Sequence, residues 1–196
     1  MGARATYSFN DRFSVAGYVV NGWNNIVDNN SKKTVGVQVN VKPFKSLTIT
    51  DNYMGGAEQS STNDWRHLSD TLAIYTVTPK LSLTGNYDFG QDKQSGAVVT
   101  WQGFAGYARF QPNAWFAVSP RFEFYNDRDG FTSGGAQKIK EFTLTGELKQ
   151  KDGFVMRLEY RRDFSDIPYW VKDGRSIDHQ NTFTIGVLYS FSTKGI

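Results

Sequence analysis

The chain has 196 residues, 39% hydrophobic and 15% aromatic, with 19 glycines against 5 prolines and a formal net charge of +3. That length makes one domain whose apolar share is too small for a thick globular core, and the aromatic and glycine bias suits strands and tight bends rather than helices. The lack of cysteine excludes disulfides and thiolate metal sites; no apolar run approaches the roughly 20 residues of a membrane-spanning helix, and the positive charge forms no block that would grip nucleic acid.

Strand-like sequence begins almost at once, and the residues from Met1 to Tyr7 contain no apolar signal-peptide core. Alternation with period 2 predicts strands over Ala3–Phe9 and Arg12–Asn24, then a third in which Val35, Val37, Val39 and Val41 alternate with Thr34, Gly36, Gln38 and Asn40. Ser46–Gly55, Trp65–Thr78, Leu81–Gly90 and Ala97–Phe110 follow, less regularly. Asp51 and Asp70 interrupt their strands, which predicts either bulges that switch faces or a shorter lipid-exposed stretch there.

The pattern is cleanest near the C-terminus. Phe116–Asp127 sets Phe116, Val118, Pro120, Phe122 and Phe124 against Ala117, Ser119, Arg121, Glu123, Tyr125 and Asp127. Phe142, Leu144 and Leu148 oppose Glu141, Thr143, Thr145, Glu147 and Lys149. Met156, Leu158 and Tyr160 oppose Arg157, Glu159, Arg161 and Asp163. Asn181–Phe191 places Phe183, Ile185, Val187, Tyr189 and Phe191 on one side. This makes about eleven strands, several of them near the roughly 9–11 residues that a tilted membrane strand needs.

Connections alternate between short and long. Asn10-Asp11, Lys42–Lys45, Pro79-Lys80, Gln111–Ala114 and Lys151–Gly153 are short; Asn25–Lys33, Gly56–Asp64, Gln91–Gly96, Arg128–Lys138 and Ser165–Gln180 are long and polar. Outer-membrane barrels have this asymmetry, with short periplasmic turns and longer external loops. A soluble barrel or sandwich also alternates, but four or five large apolar residues on one strand face against several charges on the other suit lipid outside and water inside. Trp23, Trp65, Phe89, Trp115, Phe124, Tyr125 and Phe164 fall near strand ends, where aromatic girdles sit. The expected fold is all-β, an antiparallel up-and-down transmembrane β-barrel in a single domain over residues 1–196. Counting turns from the C-terminus gives an odd number of strands, which predicts further strands and a signal peptide upstream, so that this is the C-terminal portion of a larger barrel.

The segments from Arg4 to Asn25, Trp65 to Thr71, Ser119 to Phe131, Leu144 to Leu148 and Arg157 to Asp166 resemble the OmpL-like β-barrel porins, over essentially the whole chain but only the later part of a family member. The resemblance implies an outer-membrane channel with no catalytic residues and no cofactor. Its partners would be outer-membrane lipid, small hydrophilic solutes and the barrel assembly machinery, which recognises an aromatic-rich last strand such as the one closing at Phe191. The sequence marks no subunit interface and leaves a homo-oligomer open.

The candidate pore-lining residues are Arg121, Glu123, Glu147, Lys149, Arg157, Glu159, Arg161 and Asp163. Mixed charge there would set a transverse field in the pore; the plainer reading is that these groups neutralise one another across neighbouring strands. His67 near Asp70 and His179 after Asp178 invite a hydrolase dyad, but no nucleophile motif accompanies them. Asn126–Gly130 resembles a calcium loop only faintly, since Tyr125 and Ala136 occupy the first and twelfth ligand positions. It reads as a polar turn, and no metal site is expected. The alternative class is a soluble β-barrel or sandwich that binds a ligand, with its apolar face inside.

Overall fold

The computed structural model describes residues 1–23, 25–27, 30–59, 62–94, 96–150 and 153–191. Its strands are β1 (Gly2–Asn10), β2 (Phe13–Val20), β3 (Thr34–Phe44), β4 (Leu47–Ala57), β5 (Trp65–Thr78), β6 (Leu81–Gln94), β7 (Ala97–Phe110), β8 (Phe116–Asp127), β9 (Gln137–Lys149), β10 (Phe154–Ser165), β11 (Trp170–Lys172), β12 (Arg175–Ile177) and β13 (His179–Tyr189). One eleven-stranded up-and-down sheet runs in chain order from β1 to β10 and then β13, while β11 and β12 form a separate two-stranded ribbon. The all-β expectation and the count of eleven hold for the sheet.

Where the structure departs from the sequence reading, a local cause is visible. The second strand ends at Val20 because Gly22, at φ +121°, turns the chain in a conformation that side chains resist. The expected long loop over Gln91–Gly96 is shorter: β6 continues to Gln94, β7 starts at Ala97, and Gly96 takes φ +89°. The polar stretch Ser165–Gln180 contains the β11–β12 ribbon, turned at Asp173 and Gly174 with both φ positive. The last strand closes at Tyr189, short of Phe191. Asn24, Lys151 and Asp152, together with Asp28, Asn29, Ser60, Ser61 and Ser95 of the expected loops, lie outside the described residues.

The chain divides into two compact units, residues 1–75, 85–104 and 125–137 in the first, and residues 76–84, 105–124 and 138 onward in the second. Directly opposed residues on antiparallel strands share a face, so the register defines rows across each unit. In the first, one face carries the row Thr6–Ala16–Gln38–Asn52–Asp70 and the other the row Ala5–Gly17–Val37–Tyr53–Ser69. The β4–β5 register is unbroken from Leu47 to Ala57, so of the two expected causes no bulge separates these strands at Asp51 or Asp70. Asp70 lies on the polar face and is bonded by Asn52 and Asn86. Asp51 alone of the two breaks parity, in the row Tyr7–Val15–Val39–Asp51–Thr71.

In the second unit the apolar face of β9, β10 and β13 stacks the rows Leu144–Tyr160–Phe183, Gly146–Leu158–Ile185 and Leu148–Met156–Val187. The polar face stacks Glu141–Asp163–Gln180, Thr143–Arg161–Thr182, Thr145–Glu159–Thr184 and Glu147–Arg157–Gly186. Burial runs opposite to that of a soluble protein. Phe183, Ile185 and Val187 are more than 60% exposed, whereas Glu141 and Asp163 are at most 2% exposed.

Candidate functional site

The polar face of the second unit brings together all eight residues expected there. Strand pairing puts Arg157 beside Glu147, with Nε donating to Oε1 at 2.9 Å. From β7, Arg109 reaches the other oxygen of the same carboxylate, also at 2.9 Å, and Lys149 lies 3.9 Å from it. Six residues along β9 toward the long-loop end, Glu141 accepts from Arg121 at 2.9 Å and from Thr143, and Arg161 stands 3.4 Å away. Arg161 also grips Asp163 at 2.8 Å, and Gln180 donates to the second Asp163 oxygen at 2.8 Å. Glu123 holds Arg121 at 3.2 Å. Glu159 accepts from the Thr145 hydroxyl at 2.8 Å and, among the described residues, has no cation within ion-pair distance.

These groups follow from strand parity. Each charged residue alternates with a large apolar one, so the pleat that sends Leu158 and Tyr160 one way sends Arg157, Glu159 and Arg161 the other. Three carboxylates sit low against the sheet while Arg157 and Arg161 stand more exposed beside them. Glu147, Glu141 and Asp163 side chains are 10%, 2% and 1% exposed, against 48% for Arg157 and 39% for Arg161.

A strand face of exposed large apolar residues backed by a buried ionic one is the arrangement of a β-barrel wall with lipid on one side and water on the other. The sequence profile of the family described as "Putative beta-barrel porin-2, OmpL-like" matches residues 1–191. The chain belongs to this family. Among solved structures the NanC porin, in a rhombohedral crystal form, shares the fold with a TM-score of 0.57 over 97% of this chain and 99% of that one, at 17% sequence identity. No curated protein matches the chain. As an OmpL-like porin the chain is an outer-membrane, porin-like channel protein.

A second cluster of this porin lies in the first unit. Arg66, at the start of β5, holds Asp92 at 2.7 Å, and its guanidinium carbon lies 5.2 Å from the Trp23 ring centre and 5.1 Å from that of Phe131. Trp101 stacks against Phe131 at 5.1 Å and lies over Gly90, where an added Cβ would fall 1.9 Å from the indole. Nearby, Glu58 accepts from the Trp23 amide at 2.7 Å and from the Thr34 hydroxyl. The segments after β2 and β8 are thereby tied to the start of β5 by cation–π contacts, β6 is tied to it by the Arg66–Asp92 ion pair, and Glu58 after β4 is bonded to Trp23 and Thr34.

Two residues expected in the aromatic girdles are placed elsewhere. Trp23 packs on Arg66, and Tyr125, on the parity of Arg121 and Glu123, bonds the Thr132 hydroxyl. Trp65, Trp115 and Phe164 are exposed as a girdle requires. No His67–Asp70 dyad forms, because the odd offset sends the two side chains to opposite faces; His67 Nδ1 is 2.7 Å from the Tyr53 hydroxyl instead. His179 does bond Asp178, at 2.8 Å, and this hydrogen bond, with the charges of His179 and Arg162, holds the exposed Asp178 carboxyl below its usual range. In the 126–130 segment, Asp127 turns its carboxylate onto the amides of Phe131, Thr132 and Ser133 at 2.8–3.0 Å, a bonding pattern that fixes a turn rather than a cation. Among the described residues no group of three or more potential metal ligands assembles.

Arg109 and Glu141 complete the ionic face although neither was among the expected site residues. The signal for Arg109 is its parity, opposite to Phe104 and Phe110 on the same strand. Glu141 stands first in an alternation that the sequence already displays.

Proposed function

We propose that the ionic face of the second unit lines a water-filled pore through which small hydrophilic solutes or ions diffuse down their own gradients. The observation that carries the reading is the layering of charge: carboxylates beneath, Arg157 and Arg161 above. Formal charges cancel, but a passing ion meets the guanidiniums of Arg157 and Arg161 first, so the local potential favours anions. β13, with Phe183, Ile185, Val187 and Tyr189 on one face, is in this proposal the strand offered to the barrel assembly machinery.

The test is the reversal potential of the protein in a planar bilayer under a KCl gradient. The wild type is expected to conduct with an anion bias, and Arg157→Ala combined with Arg161→Ala to move the reversal potential toward the cation side. A conducting variant with an unchanged reversal potential would remove these arginines from the permeation path.

A further inference from the structure

The apolar face of the second unit is not apolar to its end. Above the rows of Leu144, Gly146 and Leu148, toward the long loops, come the row Phe142–Arg162–Asn181 and then Lys140–Phe164–His179, with Lys138 two residues further along β9 on the same parity. From Phe164 to Phe154, β10 advances ten residues, about 33 Å along the strand and about 25 Å along the membrane normal once tilted. That is the height of a barrel's apolar band, and it sets Lys140 and Lys138 at the level of lipid headgroups.

These cations form no direct ion pair. Among the described residues no Asp or Glu lies within ion-pair distance of Lys138, Lys140 or Arg162. Arg162 has Asn181 at 3.2 Å and its guanidinium carbon lies over the Phe164 ring, 4.6 Å from its centre, the position of a side chain whose charge snorkels away from hydrocarbon. Of the acids nearby, Asp178 is bonded to His179 and feels the Arg162 charge only through space, and Asp166 accepts from the Lys138 amide. Beside them a recess lined by Trp170, Lys172, His179 and Asn181 adds a further cation next to an indole.

Unpaired cations directly above exposed aromatic and aliphatic rows call for a ligand with anionic groups at one end and acyl chains at the other. We propose that the long-loop end of β9, β10 and β13 is a binding site for a phosphorylated glycolipid of the outer leaflet, its phosphates on Lys138, Lys140 and Arg162 and its chains along Leu144, Tyr160 and Phe183. The proposal rests on the porin reading, which makes the long loops external. A free anion would use the cations but leave the apolar rows bare, so the lipid is the better fit.

The experiment is a titration of the full chain, refolded in nonionic micelles, with purified diphosphoryl lipid A, followed by native mass spectrometry. Lys140→Gln with Arg162→Gln is expected to weaken binding about 10-fold or more, while Arg157→Gln on the opposite face leaves it unchanged. Equal binding by the double variant and the wild type overturns the proposal, as does displacement of lipid A by inorganic phosphate, or equal affinity for phosphatidylglycerol. A heat-modifiable band confirms that each variant is folded; should the double variant lose it, Lys138→Gln alone is expected to weaken binding, and its equality with wild type overturns the site. A wild type that conducts in planar bilayers yet ignores lipid A sinks only this proposal, whereas one that neither conducts nor shifts on heating sinks the porin reading and this site with it.

Discussion

On the ionic face of the second unit, Arg109, Arg121, Arg157 and Arg161 each hold a carboxylate at 2.8–2.9 Å, whereas on the opposite face Lys138, Lys140 and Arg162 hold none among the described residues. The difference follows from what each face meets. Charges that line water beside a low-dielectric wall are most stable when desolvated carboxylates are satisfied by neighbouring strands. Cations at the edge of an apolar face gain little from an internal acid, which would repel an anionic headgroup, and are instead available to the surrounding bilayer.

The largest test of this contrast places one charge on each face. Leu158→Arg, in the middle row between Gly146 and Ile185, is expected to destabilise the folded protein by about 3 kcal/mol in urea titrations in liposomes. Thr184→Arg, on the other face opposite Glu159, is expected to change stability by less than about 0.5 kcal/mol, because the new guanidinium meets a carboxylate without a cation of its own. Similar costs for both would erase the distinction between lipid and water faces.

A smaller effect is expected at Glu141. This buried carboxylate stands between Arg121 and Arg161, each of which keeps a second acid, Glu123 and Asp163. Glu141→Gln is therefore expected to cost about 2 kcal/mol, less than a fully buried pair, because water reaches both guanidiniums. A change below about 0.5 kcal/mol would mean that the network is held by geometry rather than charge.

Much of this was legible in the sequence because the pleat has a period of two and most of the charge of β8, β9 and β10 keeps to one parity. Phe116–Asp127 and Ala97–Phe110 end where alternation ends, and the ionic face assembles from residues that alternation alone marks. Composition is a poor guide to conformation in the polar stretches. Gln91–Gly96 is polar and reads as a loop, yet Gln91–Gln94 continue β6 with Asp92 turned in to Arg66. The ribbon over Trp170–Ile177 carries Asp173-Gly174, a strong short-range hairpin signal, inside a stretch long enough to pass for a loop. Trp23 could not be placed because its partner, Arg66, is distant in sequence and no period links them.

Asp51 offers the finest test, because it asks whether the first unit's apolar face meets the same surroundings as the second's. Its row, Tyr7–Val15–Val39–Asp51–Thr71, lies between Ala5–Gly17–Val37–Tyr53–Ser69 and Phe13–Val41–Ile49–Ala73. The carboxylate has the Thr71 hydroxyl at 2.5 Å, a single donor for a charge that hydrocarbon would penalise. If lipid covers this row, Asp51→Val removes the penalty, extends the valine alternation of β3 across the pair, and stabilises the fold by about 1 kcal/mol, since acidic groups cost less than arginine at such positions. If the substitution destabilises the protein instead, the Asp51–Thr71 pair is satisfied by water or by protein at that height, and the apolar band of the first unit is narrower than the unbroken rows from Leu144 to Val187 in the second.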